Sequence, residues 1–103
     1  MIVCIVTFKL PIAWTVETAA VVFKATAPKY VGKRGLIRKH YYVSDAGDRA
    51  GGIYFWSSRE DADACYTQEW IETVTAKYGA APDLFFAHVP VSVSNEKNAA
   101  VAC

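Results

Sequence analysis

The sequence is poor in the residues that build metal sites: it has only two histidines and three cysteines, and neither set is spaced like a ligand cluster. His40 and His88 stand far apart, and Cys4, Cys65 and Cys103 have no second cysteine near any of them. An odd, scattered set of thiols excludes a disulfide framework and points to a reducing compartment, so a cytoplasmic protein is expected. An excess of one charge is also lacking. Eleven Lys and Arg against 10 Asp and Glu leave a net charge of +1, which argues against a nucleic-acid partner. No apolar run is long enough to cross a bilayer, and the opening MIVCIVTF lacks a basic leader and a cleavage site, so neither membrane nor export is expected. No glycine-rich loop stands at a strand-to-helix junction and no carboxylate pair has close catalytic spacing, which disfavours nucleotide chemistry and carboxylate catalysis.

What is present is apolar and aromatic. With 53% hydrophobic and 14% aromatic residues, the 103-residue chain reads as one folded domain over 1–95, followed by a flexible tail over 96–103. Residues 2–8 are β-branched and apolar and end before Pro11, which predicts a first strand. Val16, Ala19, Ala20, Phe23 and Ala27 then fall at helical spacing behind Thr15, a candidate N-cap, with Pro28 closing the segment. LIRKHYYV and GGIYFW read as two strands joined by the turn-rich SDAGDRA. Ser57 or Ser58 caps the next helix, Thr67 restarts it after a break near Tyr66, and Gly79 ends it. DLFFAHVPVSV, residues 83–93, is expected to be the last strand.

This order, βαββαβ, predicts an α+β fold of the ferredoxin-like type, with a four-stranded antiparallel sheet in the order 4-1-3-2 and both helices on one face. The other face has no cover within the chain. Yet the first strand is apolar on both parities, with Ile2, Cys4, Val6 and Phe8 against Val3 and Ile5, and the last strand repeats this with Leu84 and Phe86 against Phe85. A sheet with one wet face alternates apolar with polar residues, so a homodimer packed sheet to sheet is expected.

The aromatic strand AGGIYFW raises a rival, since RNA-recognition motifs share the βαββαβ order and stack bases on their first and third strands. Here the two stacking positions of the third strand fall on Gly51 and Ile53, and the first strand lacks its aromatic partner. A closed pocket for a small aromatic molecule fits better. On strand two, Arg38, His40 and Tyr42 share one face and Ile37, Lys39, Tyr41 and Val43 the other. Hairpin parity decides which set meets Tyr54 and Trp56. The reading adopted gathers Arg38, His40, Tyr42, Tyr54 and Trp56 into one patch. The basic run Lys29, Lys33, Arg34, Arg38 and Lys39 reads as a solvated edge, and Trp56, Trp70 and His88 also fit plain structural roles.

Over residues 35–95 the chain resembles the YdhR-type mono-oxygenase family of the dimeric α/β-barrel superfamily. AGGIYFW, SSREDADA, YTQEW, KYGAAPD and VPVSVSN carry the resemblance. It implies a ferredoxin-like protomer with a cavity between sheet and helices, in a dimeric barrel. It also implies oxidation of an aromatic or polyketide-like substrate without a cofactor, neither metal nor flavin. The chain departs from the family at Cys65, usually a large aromatic, at Gln68, usually proline, and at His40, where another aromatic is usual. Such chemistry needs a base to ionise the substrate and donors to hold the anion, and His40 is expected as the base, with Arg38 and Tyr42 as the donors. Tyr54, Trp56, Tyr66, Trp70 and Phe86 are expected as walls, and His88 as the spare base should the register be the opposite one. Two alternatives stand beside the enzyme: a non-catalytic dimer that binds an apolar metabolite, and a haem-binding or haem-degrading barrel protein.

Overall fold

The computed structural model describes residues 1–96. In chain order the elements are β1 (Ile2–Lys9), α1 (Val16–Thr26), a 3₁₀ turn (Ala27–Tyr30), β2 (Leu36–Val43), β3 (Arg49–Trp56), α2 (Arg59–Cys65), α3 (Gln68–Tyr78) and β4 (Asp83–His88). Each helix starts where a hydroxyl satisfies a free backbone donor. Thr15 accepts from the Thr18 N–H, Ser58 from Asp61 and Thr67 from Trp70, at 3.1 to 3.2 Å. Pro28 at the head of the 3₁₀ turn has no N–H to continue α1, so the chain tightens and turns toward β2. Helix α3 ends on Gly79, whose φ of 80° is the left-handed geometry that glycine adopts at little cost.

The four strands form one antiparallel sheet in the order β2-β3-β1-β4, the arrangement that the element order predicts. β1 lies between β3 and β4, with Cys4 opposite Tyr54 on one side and Phe86 on the other. The helix-side face therefore carries Cys4, Val6, Phe8, Tyr54 and Trp56, all buried, and α2 adds Ala62 and Cys65 to this core. Burying side chains of this size stabilises the fold by roughly 1.5–3 kcal/mol each. A second cluster of Ala19, Phe23 and Ala50 seats α1.

The β2–β3 register corrects the parity adopted from the sequence. Val43 pairs with Ala50 and Lys39 with Tyr54, while Arg38 pairs with Phe55 and His40 with Ile53. The cause is the connecting loop. Ser44 N–H donates to the Arg49 carbonyl, Ser44 Oγ accepts from Arg49 N–H, and Gly47 N–H closes back on the Ser44 carbonyl. That leaves an even number of residues between Val43 and Ala50, so odd positions of β2 share a face with even positions of β3. A bulge at Ile37 then sets Leu36 opposite Trp56.

The last strand is shorter than expected and stops at His88. Val89 N–H still donates to the Met1 carbonyl, but Pro90 has no donor with which to extend the ladder. Val91 and Val93 beyond it are 78% and 86% exposed. The expected loose tail, 96–103, lies outside the described residues except for Glu96, and so does Cys103. On the far face of the sheet Phe85 is 63% exposed, beside half-buried Val3, Ile5, Ile53 and Phe55. Among the described residues no helix is long and apolar enough to cross a membrane.

Candidate active site

Between the sheet and the helices lies a cavity of about 380 Å³, within the usual size range for a small-molecule site. Its floor is Lys39 and Tyr41 of β2 with Gly52 and Tyr54 of β3; Thr26, Tyr30, Cys65, Trp70 and Tyr78 stand around it. Gly52 makes the floor possible. A Cβ there would lie 2.9 Å from Lys39 Cε and 3.0 Å from a Tyr54 ring carbon. Its absence lets the lysine arch inward instead of out to solvent.

Lys39 is the chemical centre of this space. Its Nζ sits 3.5 Å from the Tyr30 ring centroid, 4.0 Å from Tyr41 and 4.3 Å from Tyr54. Each ring face favours the ammonium by about 0.5–2 kcal/mol. No carboxylate does so, for the ion pairs among the described residues are Arg34–Asp61 and Arg59–Asp63. Burial outweighs the surrounding groups and lowers the Lys39 pKa to about 7, while neighbouring Cys65 pulls it back up and Lys77 lowers it further. Lys39 is thus an amine able to take up or release a proton near neutral pH.

The surrounding groups are held neutral. Burial pushes the Tyr54 and Tyr41 phenols and the Cys65 thiol upward, and raises Tyr78 to about 12. Hydrogen bonds fix the rings. The Thr26 hydroxyl donates to the Phe23 carbonyl at 3.1 Å, so its oxygen receives the Tyr41 O–H at 2.8 Å. Trp70 Nε1–H donates to the Tyr30 hydroxyl at 3.1 Å. Among the described residues no group of His, Cys, Asp and Glu side chains could hold a metal ion.

Of the residues singled out from the sequence, Tyr54 and Trp70 line the cavity. Trp56 is fully buried behind Tyr54, with their rings parallel and 6.0 Å apart, and its Nε1–H donates to the Tyr66 hydroxyl at 3.0 Å. Tyr66 packs edge-on against Trp70 at 5.0 Å and Phe86 at 5.9 Å, so these residues back the wall. His88 is exposed at the end of β4, in a small hollow with Arg59 and Phe86. Arg38, His40 and Tyr42 face away from the cavity. Arg38 lies 5.0 Å over Phe55, His40 meets the same ring edge-on, and Tyr42 O–H donates to the Val6 carbonyl at 3.2 Å. The residues that sequence reasoning passed over are Lys39, Tyr41, Tyr30 and Thr26. Their signal was a lysine two residues before Tyr41 on β2, paired with Tyr54 and diagonal to Gly52 of β3.

No family model and no curated protein matches the sequence. Solved structures do match its fold. A mono-oxygenase of Streptomyces coelicolor, the product of ActVA-Orf6, solved with nanaomycin D, superposes with a TM-score of 0.67 at 16% identity over 92% of both chains. The fold is that of this mono-oxygenase. SnoaB of Streptomyces nogalater, a cofactor-independent oxygenase, gives 0.63 at 14% identity, covering 89% of this chain and 95% of its own. Rv0793 of Mycobacterium tuberculosis gives 0.62 at 12%, covering 91% of this chain and all of its own. Identities this low establish the shared architecture, and the chemistry has to come from the cavity itself.

Proposed function

We propose that this protein is a mono-oxygenase of the YdhR-like kind that needs no resident metal or flavin and oxidises a phenolic, polyketide-like aromatic in the cavity. The observation that carries this reading is the inward-facing Lys39, seated on three tyrosine rings without a carboxylate, on a fold shared with a cofactor-independent oxygenase. The neutral amine takes the proton of the phenol. The ammonium it becomes stays beside the phenolate and the ring faces, which stabilise it. The electron-rich substrate then reduces O₂ itself. At a methylene between aryl rings a C–O bond forms and the O–O bond breaks, so that CH₂ and O₂ give C=O and H₂O with no outside reductant. The base role expected of His40 passes to Lys39, because His40 and Arg38 lie on the far side of the sheet.

That far side is the surface for a second copy. Val3, Ile5, Ile53, Phe55 and Phe85 offer an apolar sheet face, and a homodimer would cover it together with Val91 and Val93. Cys4 and Cys65 are free buried thiols, which suits a reducing cytoplasm. Neither histidine lines the cavity, so the cavity offers haem no imidazole ligand.

Oxygen uptake with anthrone-type phenols tests the assignment. Lys39→Met should lower the rate by roughly 100-fold or more, the usual range for a lost general base, whereas His40→Ala should keep most of it. Full activity in Lys39→Met, or its loss in His40→Ala alone, overturns the assignment of the base. Tight binding with no oxygen uptake on any phenol would instead leave a binding protein.

A further inference from the structure

The charge around the cavity is lopsided in a way the whole chain is not. Lys29, Lys33, Lys39 and Lys77 line it against the single carboxylate of Glu69, four of the chain's 11 basic residues against one of its 10 acidic ones. These lysines come from three separate parts of the fold: the 3₁₀ turn and the segment after it, β2, and the last turn of α3. The basic run of the sequence is therefore divided. Arg34 turns to Asp61 and Arg38 to the far face, while Lys29, Lys33 and Lys39 converge.

Lys33 and Lys39 share one ring, their Nζ atoms lying 5.9 and 3.5 Å from the Tyr30 centroid. Lys29, Lys33 and Lys77 are exposed at the mouth, and Lys39 is sheltered within. Burial lowers the Lys77 amine, and the nearby Lys29 charge lowers it further, so like charges share the mouth.

Resting on the proposed function above, we infer that the substrate is an aromatic hydroxy-acid, its phenol meeting Lys39 inside and its carboxylate meeting the lysines at the mouth. The planar body lies against the tyrosine and tryptophan walls, with Lys39 as the inner cationic point and the mouth lysines as the outer one. A neutral phenol would satisfy only the inner one. The mouth lysines also draw an anion in from solution, a long-range effect that salt screens.

Calorimetric titration without oxygen tests this apart from turnover. The probe is a hydroxynaphthoate with hydroxyl and carboxylate on opposite rings, compared with the parent naphthol. The carboxylate should tighten binding roughly tenfold at low ionic strength, the sum of two partly exposed ion pairs, and most of that gain should vanish at high salt. The triple variant Lys29→Gln, Lys33→Gln, Lys77→Gln should remove the gain, so that the two probes bind alike. Equal affinity of the native protein for both probes, or a carboxylate gain that survives the triple variant, overturns the inference whatever the oxygen assay gives. A gain lost in the triple variant upholds it, even where no oxygen is consumed and the oxidation reading alone falls.

Discussion

Lys39 occupies the space that Gly52 leaves empty, with its Cε 2.9 Å from where a Gly52 Cβ would stand. Gly52→Ala therefore presses on a flexible chain end and on the Tyr54 ring. It should fold with nearly unchanged stability and lose roughly 10- to 100-fold in oxygen uptake through misplacement of the amine. Gly51 next to it behaves differently, because a Cβ there would collide with the Val6 carbonyl oxygen of β1. Backbone cannot step aside as a lysine can, so Gly51→Ala should cost about 2 kcal/mol or more in denaturant unfolding.

The Lys39 amine makes both rate and stability depend on pH. Its pKa is lowered to about 7 in the folded protein, against about 10.4 for a free lysine. Oxygen uptake should rise with pH through 7 as the amine loses its proton and becomes a base. Between those two values the unfolded chain holds the extra proton, so stability should rise with pH across that window and fall as pH returns toward 7. In Lys39→Met this part of the stability profile should flatten; an unchanged slope by urea titration would refute the buried-amine account.

The Trp56 indole N–H has its acceptor in Tyr66. Tyr66→Phe keeps the ring and removes that acceptor, leaving a donor of a fully buried side chain unsatisfied. Thermal unfolding should show a loss of about 1–3 kcal/mol. A loss of a few tenths would mean that water replaces the hydroxyl.

Phe85 is largely exposed on the far sheet face, so Phe85→Asp disturbs little within one chain. It should nevertheless shift the protein from dimer to monomer in sedimentation at micromolar concentration, because a carboxylate would be buried against apolar side chains. A native protein that sediments as a monomer would remove the proposed interface.

Most of the architecture could be read from the residues that begin and end elements. Thr15, Thr67 and Gly79 act where their chemistry places them, Ser58 takes the cap left open between Ser57 and Ser58, and the helix breaks at Tyr66 as the second cap requires. Two-sided apolar strands likewise marked a far face that carries Val3, Ile5, Ile53, Phe55 and Phe85. The site was less legible, for a local reason. Which face of β2 meets Tyr54 depends on whether one loop holds an odd or even number of residues, and side-chain hydrogen bonds from Ser44 decide that. An opposite parity would have placed Arg38 and His40 over the cavity. Lys39 was further hidden within a basic run, because sequence alone does not show that Gly52 opens a berth for it. The end of β4 shows the same limit: VPVSV has strand-forming residues, but the missing donor of Pro90 outweighs them.

The kink between α2 and α3 at Tyr66 has an optical consequence. Tyr66 touches Trp56 on the core side and Trp70 on the cavity side, so of the chain's three indoles Trp56 is sealed from the guests, Trp70 meets them, and Trp14 stands apart against Phe23 and Tyr78. An occupant should quench the second emitter and leave the first as an internal reference. Saturation could then be followed by intrinsic light emission, with no label attached.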